Sequence, residues 1–219
     1  MALKLYAHPF SSYCQKVLIA LYENSIPFEF RMLSLNDDAA MAELSALWPL
    51  KRIPVLVDEG RTVVESSIII EHLGLHHPGP VRLIPEQADL TLRVRMMDRF
   101  FDNYVMTPMT RIVADALPAP QSRDALGVIE ARLMLDTAYR WLDTRMVGRT
   151  WASGDSFSLA DCAAAPSLFY ADWAHPIGEQ HHNVRDYRRR LLARPSFARA
   201  VFEARPYRSL FPLGAPDRD

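Results

Sequence analysis

The sequence predicts an α/β domain of about 75 residues followed by an all-helical domain, on three observations. Short strand-like and helix-like segments alternate as far as Gly74. The run His76-His77-Pro78-Gly79-Pro80 then places two prolines and a glycine within five residues, which stops any regular element. Beyond it the apolar residues recur at helical spacing, and no segment reads convincingly as a strand.

Taken in order, Leu3 to Ala7 is a short apolar strand. Ser11 or Ser12 caps a helix through Tyr22-Glu23, whose Val17, Leu18, Leu21 and Tyr22 share a face. Phe28 to Leu33 alternates as a strand, and residues 39–47 form a short helix that must end before Pro49. Segments 55–58 and 61–64 flank a Glu-Gly step and read as a hairpin. Ser66 opens a helix expected to end near Gly74. The order βαβ then αββα is that of a thioredoxin-like domain, placed at residues 1–77. The helical domain, residues 84–219, is expected to hold a long helix at 88–116 bent near Pro108. Further helices are expected at 122–146 (apolar Leu126, Ile129, Leu133, Leu142 and Met146), 157–173, 183–193 and 196–204. A proline-rich tail follows.

Composition narrows the class. Apolar residues make up 49% and charged residues 23%, enough for a core and unlike a disordered chain. A net charge of −1 argues against nucleic acid as a partner. No apolar run approaches the roughly 20 residues that span a membrane. The start, Met1-Ala2-Leu3-Lys4-Leu5-Tyr6, lacks the apolar core of a signal peptide, so a cytoplasmic location is expected. The two cysteines, Cys14 and Cys162, lie far apart and suggest neither a disulfide framework nor a zinc site. The pairs His76-His77 and His181-His182 lack carboxylate partners at ligand spacing. They read as solvated loop histidines, and no metal is expected.

The most informative segment is Arg52-Ile53-Pro54-Val55-Leu56-Val57, followed by Val64-Glu65-Ser66-Ser67-Ile68. Proline lacks an N–H and tolerates the cis peptide, so a proline at the mouth of a strand can leave the backbone of Ile53 free for a ligand. Glu65-Ser66-Ser67 at a strand-to-helix junction offers a carboxylate, hydroxyls and unpaired helix N–H groups. That set suits a zwitterion, Glu65 taking its ammonium and the helix start its carboxylate.

These motifs resemble the glutathione-binding half of the cytosolic glutathione S-transferase family, and the likeness extends over nearly the whole chain. It implies glutathione as cosubstrate, a cis Pro54, an Ile53 backbone paired with the cysteinyl part of glutathione, and Glu65 with Ser66 at its γ-glutamyl end. Arg52 or Lys51 would meet the glycine carboxylate. Trp48-Pro49 stands where many members have Asn-Pro. The loop Ser11-Ser12-Tyr13-Cys14-Gln15-Lys16 is similar to the glutaredoxin pattern Cys-Pro-Tyr-Cys-x-Lys with serine replacing the first cysteine. Ser11 cannot supply a thiolate, so dithiol reduction is not expected. Its hydroxyl can instead donate to the sulfur of glutathione. Serine-type members, theta- and zeta-like, carry their serine at the spacing of Ser11; Ser12 is the second candidate. Both also suit a plain helix cap. Tyr6 and Cys14 are expected to be structural.

Gly154-Asp155-Ser156-Phe157-Ser158-Leu159-Ala160-Asp161 reads as a capping box opening a buried helix, with Asp161 structural. A second substrate is expected between the domains, against Phe10, Tyr104, Pro108, Arg111 and Ile112, with Tyr207 to Phe211 closing the pocket. Met96, Met97, Phe100, Phe101 and Met106 read as core or dimer interface. The expected function is transfer of glutathione to a small hydrophobic electrophile by a homodimer. The alternatives are a non-catalytic binding protein on this fold, or a glutathione-dependent isomerase, dehalogenase or peroxidase.

Overall fold

The computed structural model describes residues 3–34 and 36–219. Met1 and Ala2 lie outside the described residues. The N-terminal unit runs β1 (Lys4–Ala7), α1 (Ser12–Glu23), β2 (Glu29–Met32), α2 (Asp38–Leu47), β3 (Val55–Asp58), β4 (Arg61–Val64) and α3 (Ser66–His76). Its sheet has the order β2-β1-β3-β4, with β1 parallel to β2 and antiparallel to β3, so the expected thioredoxin-like topology is present. Both central residues of the β3–β4 turn have positive φ, +48° at Glu59 and +86° at Gly60. This is the turn that matches strand twist, and Gly60 occupies it without steric cost.

Helix α3 runs two residues past its expected end, so Gly74 lies inside it rather than capping it. The linker after α3 is held by Asn24, whose side chain donates to the Val81 carbonyl (3.1 Å) and accepts from the Val81 amide (2.8 Å). A Cβ on Gly79 would stand 2.4 Å from the Asn24 side chain, which accounts for glycine there.

The C-terminal unit is helical: α4 (Ala88–Phe100), a π-helical turn (Phe101–Met106), α5 (Thr107–Asp115), α6 (Ala125–Arg145), α7 (Leu159–Ala174), α8 (His182–Leu192) and α9 (Pro195–Ala204). The single helix expected at 88–116 is therefore interrupted. Pro108 has no N–H to give the preceding turn. The chain widens into a π turn just before it, where the Thr107 hydroxyl donates to the Asp102 carbonyl at 2.9 Å. In α6 the apolar residues Leu126, Ile129 and Leu133 are exposed. The buried face is instead Ala131, Leu135, Ala138, Tyr139 and Leu142.

Helix α7 is the central element, with every residue from Leu159 to Trp173 buried. Ser158 and Asp161 form the expected capping box. The Asp161 carboxylate accepts from the amides of Ala152 and Ser158 (each 2.9 Å), the Ser158 hydroxyl (2.9 Å) and the Tyr187 hydroxyl (2.6 Å). One fully buried side chain thus satisfies the start of α7, the loop before it and α8. Asp161→Ala strands those donors and is expected to lower unfolding free energy by at least about 3 kcal/mol, whereas Tyr187→Phe costs about 1 kcal/mol. Chemical denaturation of the two variants checks the ranking.

Candidate functional site

The strand register gathers the sequence motifs at one end of the sheet. Tyr6 of β1 faces Val55 of β3, and Val55 faces Val64 of β4. The β1–α1 loop, the Ile53-Pro54 step and the Val64-Glu65-Ser66 junction therefore leave the same sheet edge. The Ile53-Pro54 peptide is cis, as the resemblance implied. Lys51 and Arg52 are exposed beside it.

Ser11 is the N-cap of α1, and its Oγ accepts from the Cys14 amide over a long 3.4 Å. That contact uses an oxygen lone pair and leaves the hydroxyl proton free to donate elsewhere. Ser12 is the first helical residue, and both serines are half-buried. Cys14 is fully buried, and burial pushes its thiol up to about 11, so it is a packing residue as expected. Tyr6 is likewise buried.

Glu65 holds φ = +68°, a left-handed conformation uncommon for a residue with a Cβ. It is the N-cap of α3 but makes no side-chain cap hydrogen bond. Its carboxylate is exposed and the first amides of α3 lack a side-chain acceptor, while Ser66 is buried beneath it. A free carboxylate beside an uncapped helix start can hold both charges of an amino acid head group. The strain at Glu65 is what turns the chain so that both face the same edge.

Sequence reasoning missed the buried network under this edge. The Lys16 ammonium, fully buried one turn into α1, lies 2.6 Å from Asp98 Oδ1 and 2.9 Å from Asp102 Oδ2, and donates to the Ser67 hydroxyl at 2.9 Å. Ser67 in turn donates to Asp98 at 2.8 Å. The Arg99 guanidinium meets both aspartates from the solvent side. Two cations thus answer two anions, although burial still holds the Asp102 carboxyl above its ordinary value. The network locks the starts of α1 and α3 to each other and to α4. Its only sequence signals were Lys16 in the glutaredoxin-like run and the Asp98/Asp102 spacing of four.

Of the residues expected to wall a second substrate, Tyr104 instead groups with Met96, Phe100, Met134 and Trp141 on an exposed face between α4 and α6. Phe10 packs edge-on against Tyr170 at 5.4 Å, and the ring of Tyr207 lies 4.7 Å from His8 in the β1–α1 loop. Phe211 is buried against Trp173. Pro108 and Ile112 are buried and Tyr104 is half exposed. Arg111 is not a wall residue, because its guanidinium pairs with Asp124 and Glu130 at the start of α6. Met97, Phe101 and Met106 are core, whereas Met96 is exposed. His77 is not a solvated loop histidine: it is half-buried and bonded to Asp58 at 2.8 Å. Among the described residues, no helix is long and apolar enough to cross a membrane.

A thioredoxin-like domain with a serine before α1 and a cis-proline before β3, joined to an all-helical domain, is the architecture the structure defines. Comparison with known proteins narrows it. The glutathione S-transferase N-terminal domain family matches residues 5–81 and the glutathione S-transferase C-terminal domain family residues 120–204. A glutathione S-transferase from Methylobacterium radiotolerans, solved in complex with glutathione sulfonate, is 30% identical, with a TM-score of 0.80 over 92% of this chain and 95% of that one. A glutathione S-transferase of Hypomyces subiculosus is 26% identical over 94% of this chain and all of its own length. A probable maleylacetoacetate isomerase of Vibrio cholerae is 27% identical over 94% of this chain and 98% of its own. The chain belongs to the glutathione S-transferase family.

Two variants probe the site's construction. Lys16→Met leaves Asp98 and Asp102 with Arg99 as their one paired cation among the described residues and is expected to cost about 3 kcal/mol in a denaturation experiment. Glu65→Gly relieves the left-handed strain but loosens the unfolded chain, so stability should stay within about 1 kcal/mol of wild type. Loss of several kcal/mol in Glu65→Gly would show that the carboxylate, not the backbone, supports the fold.

Proposed function

We propose that this chain binds glutathione at the sheet edge described above and transfers its thiolate to a small hydrophobic electrophile. The single observation that carries the reading is the convergence of Ser11, the Ile53-Pro54 step and the uncapped Glu65-Ser66 helix start at one edge. Each offers what one part of glutathione needs. The exposed Glu65 carboxylate takes the γ-glutamyl ammonium. Ser66 and the first amides of α3 take its carboxylate. The Ile53 backbone, preceding the cis-proline, pairs with the cysteinyl unit, and Arg52 faces the glycine carboxylate. The bound glutathione sulfonate in the Methylobacterium radiotolerans relative supports the assignment.

Chemistry then rests on Ser11. A free thiol has a pKa near 8.5 and is mostly protonated at neutral pH. Lowering it by about two units needs roughly 2.7 kcal/mol of preference for the thiolate. A charge-assisted hydrogen bond from Ser11, worth about 1.5–3 kcal/mol, together with the positive end of α1 supplies that amount. The thiol proton leaves to solvent, and the thiolate attacks an electrophilic carbon, forming a carbon–sulfur bond as the leaving group departs. Phe10 and Tyr207, the partly exposed aromatic side chains beside the β1–α1 loop, orient an apolar substrate near the sulfur.

The exposed apolar residues Met96, Tyr104, Met134 and Trp141, grouped around Phe100, form the face we assign to a homodimer. The similarity to the Vibrio cholerae protein makes glutathione-dependent isomerisation the second reading, since it uses the same activated thiolate.

Calorimetric titration of glutathione, with ultraviolet absorbance following thiolate formation against pH, tests the proposal. Wild type should bind and lower the thiol pKa. Ser11→Ala should bind comparably, lose the shift and lose about 100-fold in conjugation rate. If wild type binds no glutathione, the catalytic reading fails and the chain is a binding protein on a borrowed fold.

A further inference from the structure

A cluster at the other end of the N-terminal unit is independent of glutathione. Asp58 closes β3, His72 lies on α3 and His77 caps the C-terminal end of that helix. Both imidazole Nε2 atoms lie 2.8 Å from the same carboxylate oxygen, Asp58 Oδ2. All three candidate ligand atoms fall within 4.8 Å of one another. Asp58 and His72 are buried, and His77 is half-buried, leaving one open approach.

The charge balance is incomplete. Among the described residues no lysine or arginine pairs with Asp58, and its carboxylate is met only by imidazoles. This contrasts with Asp98 and Asp102, which two fixed cations neutralise. A buried carboxylate flanked by two nitrogen donors is a ligand set for a divalent transition ion.

The geometry suits such an ion. Zinc–nitrogen and zinc–oxygen bonds of about 2.0–2.2 Å place tetrahedral ligands roughly 3.3 Å apart. The observed 2.8 Å separations therefore need to open by about half an ångström. His77 can supply that movement, since it stands at a helix end beside the linker. His72 is backed by the ring of His76 at 4.3 Å. Along α3, His77 stands about 16 Å from Ser66, so the cluster is no part of the sheet edge that carries the serine and cis-proline motifs.

We propose that Asp58, His72 and His77 form a site for one divalent transition-metal ion of the zinc class, with solvent in the remaining coordination position. The ion staples the β3–β4 hairpin to the end of α3, where the chain leaves for the helical unit. The site was invisible in the sequence because Asp58 lies fourteen residues before His72 and is brought to it only by the packing of β3 against α3.

The test uses the untagged full chain, stripped with chelator and titrated with Zn²⁺ by calorimetry and with Co²⁺ by visible absorption. One equivalent should bind at micromolar or tighter affinity, with the d–d bands of a four-coordinate Co²⁺ site and a Zn²⁺-dependent rise in melting temperature. His77→Ala and Asp58→Asn should each weaken binding at least tenfold while keeping the wild-type circular dichroism. His181→Ala/His182→Ala should bind as wild type. Absence of stoichiometric binding by wild type overturns the proposal. So does undiminished affinity in both His77→Ala and Asp58→Asn, or loss of binding in the His181/His182 variant.

Discussion

The fully buried ammonium of Lys16 is the constraint on which the rest of this molecule depends. It leaves α1 one turn after the serines and reaches Asp98 and Asp102 on the helical unit and Ser67 on α3. A buried charge is tolerated only when its partners are near and complete. Satisfying this one therefore fixes three elements at once. The starts of α1 and α3 cannot drift apart, because Lys16 and Ser67 bond each other and share the Asp98 carboxylate. The helical unit cannot slide over the sheet without breaking that pair. Other bonds extend the same seam: Gln15 donates to the Tyr170 hydroxyl at 3.0 Å, and Arg194 holds Glu23 by two nitrogens at 2.6–2.7 Å.

That seam gives the sheet edge its chemical character. Two helix N-termini point at one place, and one of them, α3, has no side chain closing it. The unfavourable backbone at Glu65 is held by the ladder of β3 and β4 on one side and by Ser67 on the other. Strain there is the cost of presenting a free carboxylate beside free amides. The helical unit contributes the apolar side, through Tyr170 and Trp173 on α7 and the segment after α9 that brings Tyr207 to His8.

Much of this was legible in the residues, and the parts that were not share a cause. Strands and helices followed from period and punctuation, and the capping box at Ser158 and Asp161 lay within four residues. The Glu65-Ser66 helix start could be read because it is a local motif, whereas the cis Ile53-Pro54 peptide followed from the family resemblance. Gly74 was misread as a stop because glycine usually ends helices, yet packing of Ile69, Ile70 and Leu73 carries α3 two residues further. Leu126, Ile129 and Leu133 mark a helical stripe, but nothing in a periodicity says which of two apolar stripes meets the core. The Lys16 network and the Asp58 cluster join residues far apart in sequence, and no spacing rule reaches them.

The most direct test of the account is a structure determined with glutathione bound. The account predicts the tripeptide at the sheet edge, its γ-glutamyl group at Glu65 and Ser66, its cysteinyl backbone paired with Ile53, and its sulfur within hydrogen-bonding distance of the Ser11 hydroxyl. A sulfur placed on Ser12 or Tyr13, or a tripeptide bound away from α3, would contradict it.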